Sequence, residues 1–512
     1  MEFNLNKTPV GIVSPVLDTV AEQPVDIDFT LPDFCSDIEK IIRCKISPKI
    51  FSRNISGGKL QIDGSVVVTV LYTDDNNKLR ACEQNMSFSS SFALKSVPDN
   101  AVIETGTKCE YVNCRALSRR RLSIHGAFSL YAKVIYKSSF DLFSPCDDET
   151  LEYNTRSVTC FSLDSLCQEQ FNCGDELQVG NKPSIDCILD AQAKINITST
   201  KVVDEKLMLE GELGVKLLYT SSESDSPDMI DYIIPVSRVI DCEGLKSGDI
   251  VYPRAEILSC DIRLKNDILS DNPIVDADCR VCITVEGYSE KECEIVLDAF
   301  STKHLTEIQR TRVTIPENIS VVSDNTMRKD TVSIGDNNVS EIIDFRCVCH
   351  NESSSISNNN LNTCYKLIFN ILAVNSDNRY VDIERSVEFS AETEINDDFN
   401  EVKNVSSYVQ SVSYRLTGDN NIETRCELKT AALISDNRQY SIVSSVDIDE
   451  ESLIKTPDSS LTLYFAENGE SLWDIAKMYN TRLKRITEEN TVSGDILRED
   501  TMLMIPTIRE AE

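Results

Sequence analysis

The chain is poor in the residues and motifs from which common active sites are built. Its three histidines, His125, His304 and His350, lie too far apart in the sequence to indicate a histidine cluster. The Gly57–Lys59 run lacks the preceding glycine and the following hydroxyl residue of a phosphate-binding loop. A Gly-x-Ser-x-Gly elbow, the nucleophile motif of many hydrolases, is also missing. These absences predict a protein that is not an enzyme, with no catalytic residues, no metal and no cofactor.

Positive charge is also scarce. Lysine and arginine number 51 against 84 acidic residues, and the formal net charge is −33. Such a charge repels nucleic acid and anionic membrane surfaces. It permits attraction to a basic partner, although good solubility is the simpler interpretation. The one compact basic run, Arg119–Arg121, is interpreted as a solvated strand end, with a contact to an acidic partner as the alternative.

Long hydrophobic runs are absent. The longest apolar stretches, Val66–Tyr72 and Leu367–Val374, are far shorter than the ~20 residues of a membrane helix. The mixed start, MEFNLNKTPVGIVSP, does not resemble a secretory signal. We therefore expect a cytoplasmic chain without membrane insertion, whose nineteen cysteines stay reduced and pack as small apolar side chains.

Two cysteine patterns could indicate metal or redox chemistry. Cys347, Cys349 and His350 lie within four residues, but in a strand the two cysteines share one face and the histidine lies on the other. Cys279 and Cys282 have Cys-x-x-Cys spacing, but residues three apart in a strand point in opposite directions. Packing is the favoured interpretation of both patterns.

The chain repeats itself. LQIDGSVVVTVLYT, from Leu60 to Thr73, matches LMLEGELGVKLLYT, from Leu207 to Thr220, at a shift of 147. A weaker third copy, at a shift of 301, has Tyr365 where the first has Gly64. A further echo at a shift of 62 indicates two related sheets within each unit. Repeats of this length indicate a tandem array.

The local pattern of these repeats is β. Apolar residues alternate with polar ones along the runs, and Asn/Asp-rich turns separate them. The chain is therefore predicted to be mainly β, with three tandem sandwich-like domains at 1–150, 151–305 and 306–446, the third divergent. A short helix is expected near the front of each unit, at Ile38–Ile42 in the first and Ile185–Leu189 in the second. Flexible segments are expected at Asn351–Asn360 and in a linker at 447–460.

The C-terminal segment 461–508 has a different pattern, which predicts a small α+β domain of order βααβ. Ser471 is placed to cap a first helix, with Asp474 completing a capping box. Thr481 is placed to cap a second helix, and Met502–Ile505 form a closing strand. A unit this small makes a modest core and suits a recognition module better than an active site.

This segment resembles a LysM domain. The resemblance rests on Gly469-Glu-Ser471, Leu472-Trp473, Ile475-Ala476, Tyr479, Ile486, Asn490 and Leu503–Pro506. LysM modules usually bind N-acetylglucosamine chains, in peptidoglycan or chitin. The resemblance implies a groove with Gly469, Glu470, Ser471 and Leu472 on one wall and Ser493, Gly494, Asp495 and Ile496 on the other. Negative charge at Glu470 and Asp495, and Arg498–Thr501 in place of a Pro-Gly-Gln-like turn, depart from the family pattern.

The upstream repeats resemble SPOCS domains of sporulating Firmicutes. The resemblance rests on Pro183–Leu189, Leu207–Gly211 and Leu217–Tyr219, with first-unit equivalents from Ile38 to Tyr72. Tandem SPOCS units followed by LysM are typical of the SipL-like clostridial spore-coat morphogenetic factors. That resemblance implies a scaffold in the mother cell, at the forespore surface, whose LysM domain binds the coat-basement ATPase, stage IV sporulation protein A. The alternative is a protein that binds peptidoglycan through the same domain.

A partner surface is predicted on the helices of the C-terminal segment. Its members combine the chain's single tryptophan with a basic cluster: Trp473, Lys477, Arg482, Lys484 and Arg485. Aromatic and arginine side chains are common interface anchors. The alternative for the basic residues is an ordinary solvated helix surface.

Overall fold

Strands dominate the chain, as the alternating pattern predicts. The computed structural model describes residues 2–3, 5–178, 183–221, 223–224, 226–266, 273–417, 420–454, 459, 461–492 and 494–506. Apart from the C-terminal segment, this part of the chain forms antiparallel strands arranged in three successive sets with the same internal order. The mainly β class is confirmed.

The first set, called unit 1, contains two three-stranded sheets. The long sheet has the order β2-β7-β6 and the short sheet the order β3-β4-β5. A two-residue strand, β1 (Glu2–Phe3), precedes them and pairs with the last strand of the third set. The six strands are β2 (Asn6–Thr30), β3 (Lys40–Ser56), β4 (Lys59–Thr73), β5 (Leu79–Ala93), β6 (Val102–Ser118) and β7 (Arg121–Ser144).

Units 2 and 3 repeat this arrangement. Their long sheets are β8-β13-β12 and β14-β19-β18, and their short sheets are β9-β10-β11 and β15-β16-β17. A single-turn 3-10 helix, Gly335–Asn337, is also present in unit 3. The strands are β8 (Leu151–Leu177), β9 (Ile185–Val203), β10 (Lys206–Ser221), β11 (Asp228–Asp241), β12 (Ile250–Asn266), β13 (Pro273–Ser301), β14 (His304–Ser333), β15 (Val339–Ser357), β16 (Asn360–Asn375), β17 (Tyr380–Glu394), β18 (Glu401–Thr417) and β19 (Asn421–Leu453).

The two sheets of each unit pack face to face. In unit 1, Leu60 and Val68 of β4 meet Leu122 and Phe128 of β7 in one buried cluster. Corresponding clusters fill units 2 and 3. Burial of this apolar surface, at roughly 25 cal/mol per Å², stabilises each sandwich.

The repeat detected in the sequence corresponds to equivalent contacts. Tyr72 donates a hydrogen bond to the carbonyl of Ser36 at 3.1 Å, and Tyr219 donates one to that of Pro183 at 3.4 Å. Gly64 and Gly211 are needed because a Cβ at these positions would lie 2.2 and 2.6 Å from the carbonyl oxygens of the neighbouring strand. In both kinds of contact, the residues of unit 2 lie 147 positions after their counterparts in unit 1.

The three short sheets meet at a shared centre. Leu71, Leu218 and Leu372, which occupy the same repeat position, pack into a single buried cluster. This contact explains why the apolar run at Val66–Tyr72 is buried on both faces. The three units therefore surround a common point instead of extending in a line.

A charged cluster lies at the same centre. Arg43, Asp190 and Asp344 occupy one repeat position, but their charges differ. Arg346 bridges the two aspartates, at 2.7 Å from Asp190 and 2.6 Å from Asp344. Arg43 lies 4.0 and 3.8 Å from the same carboxylates. Asp344 is fully buried and is held by charge, since its oxygens make no well-aligned hydrogen bond.

Pairing with basic groups also lowers the pKa of Asp190. Burial alone would raise the pKa of Asp190, but Lys45, Arg346 and Arg43 outweigh it and lower that pKa. Lys216 of unit 2 reaches Asp344 at 3.5 Å. All three units thus contribute charges to one network, which links them to one another.

The predicted short helices are wrong. Ile38 precedes β3, and Ile41 and Ile42 lie within it, while Ile185–Leu189 begin β9. Ile41 and Ile188 pair with Tyr72 and Tyr219 in the ladders. The helix-capping residues do not start a helix here, because pairing as a strand in a buried sheet offers both hydrogen bonds and apolar contacts.

The two segments that were expected to be flexible lie partly or wholly in strands and their turn. Asn351–Asn360 continues β15 and enters β16 through a two-residue turn, in which Asn358 and Asn359 adopt φ of 51° and 58°. Asparagine is suited to this left-handed turn, so a polar run closes a hairpin. In the expected linker, β19 extends to Leu453. Residues 455–458 and 460 of that linker lie outside the described part.

The expectation that all nineteen cysteines are free is wrong for one pair. Cys260 and Cys279 form a disulfide. They lie directly opposite each other on β12 and β13, with their Cα atoms 4.1 Å apart. The remaining seventeen are free thiols.

Candidate functional site

The C-terminal module, residues 461–506, folds in the predicted βααβ order. Its elements are β20 (Leu461–Ala466), α1 (Leu472–Met478), α2 (Leu483–Asn490) and β21 (Thr501–Pro506). The Ser471 hydroxyl accepts a hydrogen bond from the Asp474 backbone at 3.4 Å, so the first predicted cap is confirmed. The second is wrong, because α2 begins after Arg482. Thr481 instead donates to the carbonyl of Pro506 at 2.9 Å and ties α2 to β21.

The two walls of the predicted groove are joined through their backbones. Leu472 donates to the carbonyl of Asp495 at 3.0 Å, and Leu497 donates to that of Glu470 at 3.0 Å. Ser471 forms an isolated β-bridge with Ile496. A ligand at this site would therefore lie over the walls and not between them.

Local hydrogen bonds and backbone conformation fix the positions of the remaining groove residues that the structure describes. The Glu470 carboxylate accepts hydrogen bonds from Tyr464 at 3.0 Å and from the Glu467 backbone at 3.1 Å. Gly469 and Gly494 both have φ of 95°, a conformation that favours glycine. Ser493 lies outside the described residues.

One side of the module packs against unit 2. The Trp473 indole donates a hydrogen bond to Asp298 at 2.8 Å, and Lys477 contacts both oxygens of the same carboxylate at 2.9 and 2.7 Å. Phe300 meets Trp473 edge to face, with 5.1 Å between ring centroids, and joins the module's buried core. Asp298 and Phe300 lie at the end of β13, so a strand of unit 2 completes the core of the module.

Charges reinforce this contact. Burial would raise the pKa of Asp298, but the hydrogen bonds from Lys477 and Trp473 outweigh it and lower that pKa. Arg482 donates to the carbonyl of Glu149 at 2.6 Å and lies 3.7 Å from the carboxylate of Glu152. The module is therefore fixed to unit 2 by apolar and charged contacts.

These contacts involve three of the five residues predicted to bind a partner. Trp473, Lys477 and Arg482 all face unit 2. Lys484 and Arg485 remain exposed, and Lys484 pairs with Glu488 along α2 at 3.8 Å. A partner role for the five residues stays a prediction. Sequence reasoning missed Asp298 and Phe300, which carry no signal linking them to residues some 175 positions away.

The two strands of the module present an exposed apolar sheet face. Five side chains of β20 and β21 point outwards: Leu461, Leu463, Phe465, Met502 and Met504. Leu463, Phe465 and Met502 are 63%, 63% and 62% exposed, whereas Leu503 and Ile505 point into the core. We call these five residues the apolar sheet face. Sequence reasoning missed it because it treated the closing strand as core, although the alternation along the strand was an available signal.

The alternative sites considered from sequence are occupied by structural contacts. Cys279 bonds to Cys260 instead of pairing with Cys282. Among the described residues, no group of three histidine, cysteine or acidic side chains is arranged to hold a metal ion. In the basic run, Arg120 donates to the carbonyl of Pro32 at 2.9 Å and to the Asp37 carboxylate at 2.8 Å.

Comparisons with known families agree with this architecture. Residues 37–117 and 184–265 match the family model described as SipL, SPOCS domain, and residues 467–506 match that of the LysM domain. The two SPOCS matches correspond to β3–β6 and β9–β12. The curated proteins and the solved structures contain no match to this chain.

These findings confirm the predicted resemblance to SipL-like proteins. Unit 3, outside the SPOCS matches, has the same six-strand order. SPOCS and LysM are binding domains, and the combination fits a sporulation coat protein with a LysM module. In the described part of the chain, no helix is long and apolar enough to span a membrane.

Proposed function

We propose that this protein, which contains two SPOCS domains and a LysM domain, is a non-enzymatic scaffold for spore-coat assembly. Its LysM domain binds the coat-basement ATPase, stage IV sporulation protein A, and brings coat to the forespore surface from the mother-cell cytoplasm. The SPOCS units carry the LysM domain and contact other coat proteins. The observation that supports this proposal most directly is the apolar sheet face, which stays exposed although α1 of the module packs against unit 2.

The chemistry of this face suits a protein partner. A contiguous group of exposed aliphatic, aromatic and methionine side chains is typical of interaction sites. Exposed Glu467, Glu499 and Asp500 lie close in sequence to the ends of β20 and β21. We therefore expect the complementary surface of the partner to be apolar with basic residues at its border.

A second candidate function is binding of peptidoglycan, which the LysM match favours. Against it, Glu470 and Asp495 place acidic residues at the groove, and backbone hydrogen bonds join its walls. A pull-down on purified peptidoglycan, with the full chain and with a chain lacking residues 461–512, separates the two functions. Retention that requires the C-terminal segment would favour glycan binding.

We expect the double substitution Leu463→Asp and Phe465→Asp to weaken binding to stage IV sporulation protein A by at least about 30-fold. Both side chains point to solvent, so the fold of the module should persist, while each substitution buries a carboxylate in the complex. Isothermal titration calorimetry with both full-length proteins measures the change, and circular dichroism verifies folding.

Two controls accompany this variant. Met208→Asp alters a side chain of unit 2 that is 46% exposed and should leave affinity unchanged. Lys484→Glu with Arg485→Glu tests the exposed helix surface of the module. Full affinity in the Leu463/Phe465 variant would reject the apolar sheet face as the docking site, and loss of affinity in the Lys484/Arg485 variant would assign docking to the helices.

A further inference from the structure

Each of the three units brings one pair of free cysteines together between its two sheets. In unit 2, the sulfur atoms of Cys167 on β8 and Cys242 after β11 lie 2.8 Å apart. In unit 3, those of Cys347 on β15 and Cys426 on β19 lie 3.9 Å apart. In unit 1, Cys44 on β3 and Cys114 on β6 pack against the same buried core, and each thiol shifts the pKa of the other.

The internal repeat does not explain these pairs. The positions equivalent to Cys44 in units 2 and 3 are Ala191 and Phe345. The three pairs also join different combinations of strands, because Cys44 and Cys347 lie on equivalent strands but their partners do not. The cysteine pairs between the sheets therefore stand at non-equivalent positions in the three units. Duplication of one original pair would have placed them at equivalent positions.

The geometry of the pairs favours covalent bonding. A disulfide requires the sulfur atoms to approach to about 2.05 Å, so closure moves them by less than about 2 Å in the pairs of units 2 and 3. Sequence separations of 75 and 79 residues mean that each bond would close a long loop. A cross-link that closes a longer loop restricts the unfolded chain more.

One member of each pair is also favoured as the nucleophile. Hydrogen bonds from the partner thiols lower the pKa of Cys114, Cys167 and Cys426. A thiolate attacks a disulfide, whereas a thiol does not. Cys114 and Cys167 are also partly exposed, which gives a small oxidant access.

We infer that three cysteine pairs are oxidation sites: Cys44–Cys114, Cys167–Cys242 and Cys347–Cys426. A low-molecular-weight disulfide acts as the oxidant, and the protein disulfide that forms cross-links the two sheets of each unit. The thiolate of Cys114, Cys167 or Cys426 attacks the reagent, forms a mixed disulfide and expels one reagent thiolate. The partner cysteine of the same pair, as its thiolate, then attacks the protein sulfur of the mixed disulfide and expels the second reagent thiolate. Two cysteine thiols become one protein disulfide, and the reagent leaves as two thiols, which take up the two protons. This inference concerns covalent hardening of the β units and does not depend on the partner of the LysM domain.

Peptide mapping of the full chain tests the inference directly. The protein is incubated with oxidised glutathione or with dithiothreitol, free thiols are alkylated, and linked peptides are identified by mass spectrometry. We expect the three cross-links after oxidation, in addition to Cys260–Cys279. Complete alkylation of the six paired cysteines after oxidation, or cross-linking of the exposed Cys109 and Cys187 in their place, would overturn the inference.

Thermal unfolding provides the second measurement. Oxidation should raise the midpoint by about 5–15 °C in the wild-type chain. Cys114→Ser, Cys167→Ser and Cys426→Ser should each lose part of this increase, measured against the same variant after reduction, and the triple variant should lose most of it. Cys364→Ser, at an unpaired cysteine, should retain the full increase. If a serine variant fails to fold, the corresponding alanine variant replaces it. An increase in the triple variant as large as that of the wild-type chain would contradict the inference, since the Cys260–Cys279 disulfide alone accounts for only a residual increase.

Discussion

Replacing Asp344 with asparagine should lower the free energy of unfolding by about 3–5 kcal/mol. The substitution keeps the shape of the side chain and removes one negative charge from the centre of the three units. Arg346, which is 7% exposed, loses a carboxylate at 2.6 Å, and Lys216 loses one at 3.5 Å. Asp190, at 2.7 Å from Arg346, remains, so the cluster is left with an excess of buried positive charge, which is costly because the interior cannot solvate it as water does.

Urea denaturation of the full chain measures this effect. The control is Asp141→Asn, which removes the same charge from an exposed pair with Lys7, where the carboxylate is 41% exposed and the atoms are 3.7 Å apart. An exposed pair of this kind contributes roughly 0–1 kcal/mol. Equal effects of the two substitutions would show that the central cluster does not hold the units together.

Reversing charge at Lys477 and Arg482 should release the LysM domain from unit 2. Lys477→Glu places a second carboxylate beside Asp298, and Arg482→Glu places one beside Glu152. Like charges at an interface cost several kcal/mol, so we expect loss of about 2–4 kcal/mol of docking free energy. Trp473 is the only tryptophan of the chain, and its indole touches Asp298 and Phe300. Release should therefore shift its fluorescence emission to longer wavelength.

Lys484→Glu with Arg485→Glu is the matched control, because it reverses two basic residues of the same module that are exposed. Its emission should stay that of the wild-type chain. Affinity of the Lys477/Arg482 variant for stage IV sporulation protein A then separates two roles. Retained affinity supports the apolar sheet face, whereas lost affinity supports the predicted helix surface. An unshifted emission spectrum would mean that the charged contacts do not hold the domain.

Acid should weaken the same docking contact. The pKa of Asp298 is lowered in the folded chain, so its contribution is complete above the ordinary carboxyl pKa of about 4. That contribution to docking is lost as the pH falls through the lowered pKa of Asp298.

The predictions that were confirmed depended on residues close to one another in the sequence or on motifs repeated along it. Alternation predicted the strands, and matched motifs such as Gly64/Gly211 and Tyr72/Tyr219 predicted the repeat, because sheet position imposes the same steric demands on each copy. The Ser471 cap was found for a similar reason, since its partner is three residues away.

The failures share a different cause. The residues around Ile38 and Ile185 offered plausible helix caps, but pairing with β4 and β10 overrode them. The docking of Trp473 depends on Asp298, a residue in another unit, and a single sequence contains no measure of that proximity. The orientation of the LysM domain was therefore beyond sequence reasoning, although its fold was not.

The unlike charges at the common repeat position restrict how these units can associate. Three copies of unit 1 would bring three arginines to the centre, without the carboxylates that Asp190 of unit 2 and Asp344 of unit 3 supply at the same repeat position. A homotrimer of unit 1 would therefore bring like charges together in a buried environment. Fusion in tandem supplies one arginine and two aspartates at this position, so a single polypeptide balances charges that identical copies of unit 1 would leave unbalanced.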